Sequence, residues 1–251
     1  MTKEEVLKEQ EAVDVEIARI CGNEAGLDGI ADIDKFLHFD GEHKILWILK
    51  EAGRPDNYDG KPYDYRQRFM YAAEYSRWSH TWGNVALVSY GINTSCENGK
   101  ELPYSELPKM LVDSGDGSPH VTEADGTYVY PLDEIAIINV KKAFTTVSKS
   151  KQNEINAEYY KPEVKKLLMR QVEYINPEIV IVANQVQKLA EDLAGIPFAD
   201  FTVIDNLTRY VVSKERRVVI FTHHPNLQFV SGGKEAYYNS IMTAVKIEYG
   251  L

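Results

Sequence analysis

The chain has 251 residues, of which 44% are hydrophobic and 11% aromatic, and its formal net charge is −10. This apolar content is sufficient for a sizeable core and excludes a disordered chain. The negative charge argues against broad, nonspecific attraction to nucleic acid, because a polyanion is held mainly by Lys and Arg side chains.

The N-terminus and the cysteine content favour a cytoplasmic protein. The opening residues, MTKEEVLKEQ, are charged where a signal peptide would turn apolar. No segment approaches the roughly 18 to 20 apolar residues of a membrane span, so we expect no membrane partner. Cys21 and Cys96 are too few for a disulfide framework or a four-cysteine metal cluster. We expect both to be buried thiols.

The first predicted element is an amphipathic helix. Thr2 followed by Glu5 is a capping-box pattern, which is typical of a helix N-terminus. Apolar residues then recur at helical spacing: Val6, Val13, Ile17 and Ile20.

Four continuously apolar segments predict parallel strands that are covered on both faces. They are ILWIL (45–49), IAII (135–138), IVIVA (179–183) and VVIF (218–221). A helix that starts at Pro162 and stops before Asn176 joins the second and third strands in a β-α-β unit. The predicted fold class is therefore α/β, with three α/β/α layers and a central parallel sheet of about four strands.

The region between the first two strands is too long for a simple loop and must hold structure of its own. Residues 66–92 predict mainly helix and residues 113–127 a loop. We interpret residues 1–251 as a single domain with an elaborated insertion at about 54–130. The segment TRYVV (208–212) predicts a further strand at one edge of the sheet.

Polar residues follow three of the apolar segments. The segment KEAGRPDNYDG (50–60) contains Glu51 and Asp56, the second strand runs into Asn139, and the fourth runs into two histidines. Because the carboxyl ends of parallel strands meet at one edge of a sheet, we expect Glu51, Asn139 and His224 to converge on one cleft.

The two adjacent histidines do not predict a metal site. Neighbouring residues of an extended segment point to opposite faces, so His223 and His224 cannot easily bind one ion together. Pro225 holds His224 in an extended conformation, and we expect His224 to matter more than His223.

Three segments, LWILKEAGRPD, IAIINVKK and VVIFTHHPNLQF, resemble motifs of the uracil-DNA glycosylase superfamily in the same chain order. In that superfamily a loop after the first strand positions water, a strand-end Asn recognises uracil, and a His-Pro loop stabilises the departing base. The middle of the chain, including residues 167–190, is most similar to the bacterial and archaeal branch called family 4. The resemblance spans roughly residues 44 to 245.

The resemblance implies a uracil-DNA glycosylase-like fold and a hydrolase that cleaves the N-glycosidic bond of a damaged or deaminated base in DNA, as in base-excision repair. His224 would stabilise the leaving base, Glu51 or Asp56 would orient water, and Asn139 would read the base. Tyr58 or Phe69 would stack on it. Further substrate-binding residues implied by the resemblance are Ala52, Gly53, Asn226 and Leu227, with Leu227 or Phe229 as the wedge that fills the vacated stack.

The chain also departs from the superfamily pattern. Ala52 falls where the best-known branch has its catalytic Asp, and Asn226 replaces the usual Ser after His-Pro. Two cysteines cannot supply the four ligands of the family 4 iron–sulfur cluster, so we expect no cofactor. Two alternatives fit the same residues: a catalytically degenerate protein of this fold that binds a nucleobase or nucleic acid, and a different α/β enzyme that acts on a nucleoside or nucleotide. In each case the partner is DNA or a nucleobase-containing ligand.

Overall fold

A seven-stranded mixed sheet forms the centre of the molecule. The computed structural model describes residues 1–38, 43–53, 58–66, 79–109, 120–145, 150–227 and 230–251. The strands are β1 (Gly26–Leu27), β2 (Gly29–Ile30), β3 (Ile45–Gly53), β4 (Tyr63–Asp64), β5 (Val121–Thr122), β6 (Tyr128–Val129), β7 (Ala136–Thr145), β8 (Ile179–Val182), β9 (Thr202–Val203), β10 (Arg209–Val212) and β11 (Val218–Phe221). The main sheet has the order β2-β7-β3-β8-β11-β10-β9, and β1-β4 and β5-β6 form two small separate sheets.

The four central strands are parallel to one another. β3 pairs in parallel with β7 on one side and with β8 on the other, and β8 pairs in parallel with β11. This confirms the predicted central parallel sheet. The outer strands β2 and β10 are antiparallel to their inner neighbours. The segment predicted as an edge strand (208–212) forms β10. β9 pairs with the other side of β10 and is the edge strand of the sheet.

Seven helices are described: α1 (Lys3–Cys21), α2 (Ile33–His38), α3 (Ser79–Asn98), α4 (Gln152–Tyr159), α5 (Pro162–Ile175), α6 (Gln187–Ala194) and α7 (Gly233–Tyr249). The predicted capping box of α1 is present, because the Glu5 amide donates to the Thr2 hydroxyl and the Thr2 amide donates to the Glu5 carboxylate. α5 begins at Pro162 and ends at Ile175, and the next residue, Asn176, forms a left-handed cap with a φ of 46°.

Alternating residues of the central strands separate two cores. In β3, Leu46 and Ile48 pack in a core with side chains of α1, α5 and α6. Ile45, Trp47 and Leu49 face the opposite way and pack with side chains of α3 and α7. The described residues therefore form three α/β/α layers, and the described part of 54–130 contributes α3 to one of them.

Several predicted boundaries were wrong. β3 reaches Gly53 and β7 reaches Thr145, so the predicted loop at 50–60 starts as strand and Asn139 lies within β7. Polar side chains ended the apolar pattern, but the backbones remain paired, with Glu51 opposite Lys141. β8 ends at Val182 instead of residue 183.

The region between β3 and β7 also differs in part from its prediction. The described part of the predicted loop 113–127 contains β5 and the turn that follows it. β6 begins directly after that loop and pairs with β5 in an antiparallel hairpin. α3 occupies the later part of the helix predicted at 66–92 and continues to Asn98, whereas residues 67–78 lie outside the described residues.

No helix in the described ranges is long and apolar enough to cross a membrane. Cys21 and Cys96 are both free thiols. They are half-buried, whereas we expected full burial, because each lies at the margin of a core and not within it.

Candidate functional site

The carboxyl edge of the parallel strands contains a topological switch point between β3 and β8. From β3 the chain enters β7 on one side and later returns to β8 on the other side. In open α/β sheets, ligands bind in the crevice outside the carboxyl ends of two such strands. β8 and β11 end level with Ile48, because Val182 pairs with both Ile48 and Phe221. β3 and β7 continue beyond that level and form one wall of the crevice.

Glu51, Asn139 and His224 lie on the same side of this edge, toward α3 and α7. Side chains alternate between faces along a strand, so Glu51 and Asn139 share a face with the residues two positions before them. Those residues, Leu49 and Ile137, pack in the core of α3 and α7. His224 follows the end of β11, and the turn that carries it is held on the same side by Asn84 of α3, which donates to the Pro225 carbonyl. β7 and β11 are separated by three inter-strand spacings of about 4.8 Å, or about 14 Å. Asn139 and Glu51 therefore lie on one side of the crevice and His224 on the other side.

The two carboxylate oxygens of Glu51 differ in their contacts with the described residues. Its Oε1 accepts a hydrogen bond of 2.6 Å from the Ser150 amide, and the Lys141 ammonium donates to the Ser150 hydroxyl. Its Oε2 is buried and has no hydrogen-bond partner within the described ranges. A buried carboxylate oxygen of this kind is costly unless a water or ligand supplies a donor.

Asn139 belongs to a buried polar network centred on Asp28. The Asn139 backbone amide and its Nδ2 both donate to Asp28 Oδ2, at 2.7 and 3.2 Å. Lys142 Nζ donates to both Asp28 oxygens at 2.8 and 3.0 Å, and Gln171 Nε2 donates to Oδ1 at 2.9 Å. One N–H of the Asn139 amide is thus committed to Asp28, and its second N–H and its oxygen remain for other partners.

Lys142 and Asp28 form an ion pair inside the protein. Their side chains are 2% and 1% exposed. Burial lowers the pKa of the Lys142 ammonium, and the attraction of Asp28 opposes that shift. Breaking such a pair from one side leaves an uncompensated buried charge, so the network holds β7 firmly against the segment between β1 and β2.

The two histidines have different partners. His224 Nδ1 accepts a hydrogen bond of 3.3 Å from the Asn226 amide, which places the proton of the neutral ring on Nε2. His223 Nδ1 lies 3.1 Å from Nε2 of Gln185, which follows the end of β8 by three residues. The turn that carries His224 is held from α3, because Nδ2 of the buried Asn84 donates to the Pro225 carbonyl at 2.6 Å.

Other predicted site residues have structural contacts. The Tyr58 hydroxyl donates to the Asn23 carbonyl at 2.9 Å, and its ring packs edge-on against Phe144 at 4.9 Å between centroids. Leu227 is half-buried against the core of α3 and α7 and has a φ of 57°. The Gly53 carbonyl accepts from the Tyr65 hydroxyl.

Four further predicted site residues lie within β3 or outside the described residues. Ala52 is the penultimate residue of β3. Asp56, Phe69 and Phe229 lie outside the described residues. Water orientation by Asp56, base stacking by Phe69 and the wedge role of Phe229 stay predictions.

Sequence reasoning missed Asp28 and Asn84. Asp28 contacts Asn139 across 111 positions, and Asn84 contacts Pro225 across 141 positions. Neither residue belongs to a local motif, so no sequence signal pointed to it.

Residues 141–170 form a basic segment with eight Lys or Arg and three Glu side chains, and several of the basic side chains form ion pairs. Besides Lys142 with Asp28, Lys161 pairs with Glu158 and Lys165 pairs with Asp192. Arg170 pairs with both Glu9 and Glu16 on α1. These pairs reduce the positive charge that the segment can offer to a phosphate backbone.

No group of three or more His, Cys, Asp or Glu side chains in the described part of the chain is arranged to hold a metal ion. No family model matches the sequence, and no curated protein matches it either.

Proposed function

We propose that the protein is a uracil-DNA glycosylase-like hydrolase that cleaves the N-glycosidic bond of a deaminated or damaged base. The observation that carries this proposal is the carboxylate of Glu51 near the carboxyl end of β3, whose buried Oε2 has no hydrogen-bond partner among the described residues. Asn139 lies on the neighbouring strand β7 and His224 follows β11, so an amide that reads the base and an imidazole that donates to the leaving base would act from the same edge of the sheet.

The base would enter the crevice after leaving its stack, at a cost of a few kcal/mol for a duplex substrate. Asn139 would read the edge of the base with its amide oxygen and its remaining N–H. The unpartnered oxygen of Glu51 would accept a hydrogen bond from a water molecule and hold that water against C1′ of the sugar.

Hydrolysis replaces the bond between C1′ and the base nitrogen with a bond between C1′ and the water oxygen. The bonding electrons leave with the base, and a water proton finally neutralises it. His224 Nε2–H would donate to the oxygen on which the negative charge develops. Donors of this type contribute about 2.7 to 4 kcal/mol to transition-state stabilisation.

A second candidate is a protein of the same fold that acts on, or only binds, a small nucleoside or nucleotide. The ion pairs of residues 141–170 and the net charge of −10 favour a ligand with few phosphates. Ala52 at the position of the usual Asp favours binding without rapid catalysis.

The test is incubation with oligonucleotides that contain uracil, hypoxanthine, xanthine or a mismatch, followed by alkaline cleavage of abasic sites. Cleavage at the modified base supports the proposed glycosylase. A salt titration of oligonucleotide binding separates the candidates, because many phosphate contacts give a steep loss of affinity with salt. An intact oligonucleotide together with hydrolysis or binding of the free nucleoside supports the second candidate.

A further inference from the structure

We infer that Asp28 is a positioning residue that sets the orientation of the Asn139 amide and thereby decides which bases the site accepts. The inference rests on the proposed function, which makes Asn139 the base-reading residue. Asp28 is buried between β1 and β2, beside β7. It would therefore act through Asn139 and not by contact with the base.

The two oxygens of Asp28 accept hydrogen bonds from different amide groups. Oδ2 receives both donors of Asn139, its backbone amide and its Nδ2. Oδ1 receives Nε2 of Gln171, and Lys142 reaches both oxygens. The carboxylate is therefore held by Gln171 of α5 and by Lys142 of β7 in addition to its contact with Asn139.

This arrangement allows one orientation of the Asn139 amide. Turning the amide by 180° would direct Oδ1 at the Asp28 carboxylate, where two acceptors would face each other without a proton between them. The network is buried, and electrostatic interactions are stronger there than in water. Lys142 Nζ and Gln171 Nε2 also donate to this carboxylate, so both of its oxygens act as acceptors in the network. The amide nitrogen is thus fixed toward Asp28, and the oxygen is directed away from it.

An amide of fixed orientation distinguishes bases by their donor and acceptor pattern. Uracil and hypoxanthine carry a ring N–H beside a carbonyl, which matches an amide oxygen beside an N–H. Cytosine and adenine carry a ring acceptor beside an amino group, which matches the reversed amide. An amide that is free to turn would accept both patterns, so the Asp28 contact would exclude cytosine and adenine.

The test compares Asp28→Asn with Gln171→Leu as a matched control. Both changes remove a hydrogen bond from the same buried network, but only Asp28→Asn removes the negative charge that orients Asn139. For each protein, kcat and KM are measured on oligonucleotides that differ only in uracil against cytosine and in hypoxanthine against adenine. Affinities for the four free bases are measured by calorimetry, and unfolding is followed in urea.

We expect both variants to be less stable than the wild type. The preference for uracil over cytosine should fall at least tenfold in Asp28→Asn and stay within twofold of wild type in Gln171→Leu. If Asp28→Asn does not fold, the double variant Asp28→Asn, Lys142→Met, which removes both buried charges together, takes its place.

An unchanged preference in the folded Asp28 variant overturns this inference and leaves the proposed function standing. A wild type that prefers neither base pattern, in turnover or in calorimetry, also overturns it. A wild type that neither releases nor binds any base overturns the proposed function, and the role of Asp28 falls with it.

Discussion

His223 and His224 are neighbours in the chain, but their rings have different contacts. His223 lies against Gln185, whereas His224 receives the Asn226 amide at Nδ1 and so keeps its proton on Nε2. We predict that His224→Ala slows base release by roughly 10²- to 10³-fold, because one transition-state donor is lost. Binding of the substrate should change little.

His223→Ala is the control for this prediction, since it leaves the proposed donor in place. Single-turnover rates and affinities on one modified oligonucleotide measure both effects. Equal losses of rate in the two variants would show that the turn as a whole, and not the His224 donor, supports base release.

Site residues that directly follow an apolar strand segment could be predicted from the sequence. Residues that contact the site from distant positions in the sequence could not. Glu51, Asn139 and His224 follow from polar residues at the ends of apolar segments, because parallel strands present those ends together. Asp28 was not predicted, because its partners Asn139, Lys142 and Gln171 are more than 100 positions away. Lys142 resembled one more charge in a basic segment, yet it is buried.

At the scale of elements, α3 carries two glycines with opposite surroundings. A Cβ on Gly91 would overlap the hydroxyl of the buried Tyr238 on α7, whereas a Cβ on Gly83 would meet no atom within 4 Å. The Tyr238 hydroxyl also donates to the Leu102 carbonyl at 2.6 Å, so the ring cannot easily move aside.

We predict that Gly91→Ala destabilises the protein by about 1 to 3 kcal/mol through overpacking between α3 and α7. Gly83→Ala should stabilise it by about 0.5 to 1 kcal/mol, because alanine loses less backbone entropy in a helix. Free energies of unfolding in urea measure both changes. Similar effects of the two substitutions would contradict the close contact of Gly91 with α7.

Element types were more predictable than element ends. The apolar periodicity identified the central strands and α5, because burial imposes that pattern on the sequence. The continuation of β3 to Gly53 and β7 to Thr145 depends on backbone pairing, which polar side chains do not prevent. β2 and β9 are two residues long and add little periodicity of their own.

At the scale of the whole molecule, we expect a stability that falls as the pH rises toward neutrality, in part because of Glu134. Burial, with smaller contributions from the nearby Glu97 and Asp133, raises the pKa of Glu134 to about 7, although Asn93 and Lys35 oppose the shift. The folded state then binds a proton that the unfolded state has already released between about pH 4.5 and 7. Glu134 therefore favours the folded state below that range, and this contribution is lost as the pH rises through it.

Glu134→Gln removes this titration and keeps a hydrogen-bonding side chain beside Asn93. Relative to wild type, the variant should gain on the order of 2 to 3 kcal/mol of stability between pH 5 and pH 8. Urea unfolding of both proteins across that range measures the gain. Parallel stability curves would show that the carboxyl of Glu134 titrates normally.

The order of the four parallel strands brings three distant segments to one edge of the sheet, where we propose that Glu51 activates water for base release. The most direct measurement is chromatographic detection of free base from a uracil-containing oligonucleotide, with wild type and Glu51→Gln. We predict that wild type releases the base and leaves an abasic site, and that Glu51→Gln binds equally well but releases the base at least 100-fold more slowly. Full activity in Glu51→Gln, or no release by wild type from any modified oligonucleotide, would contradict the account.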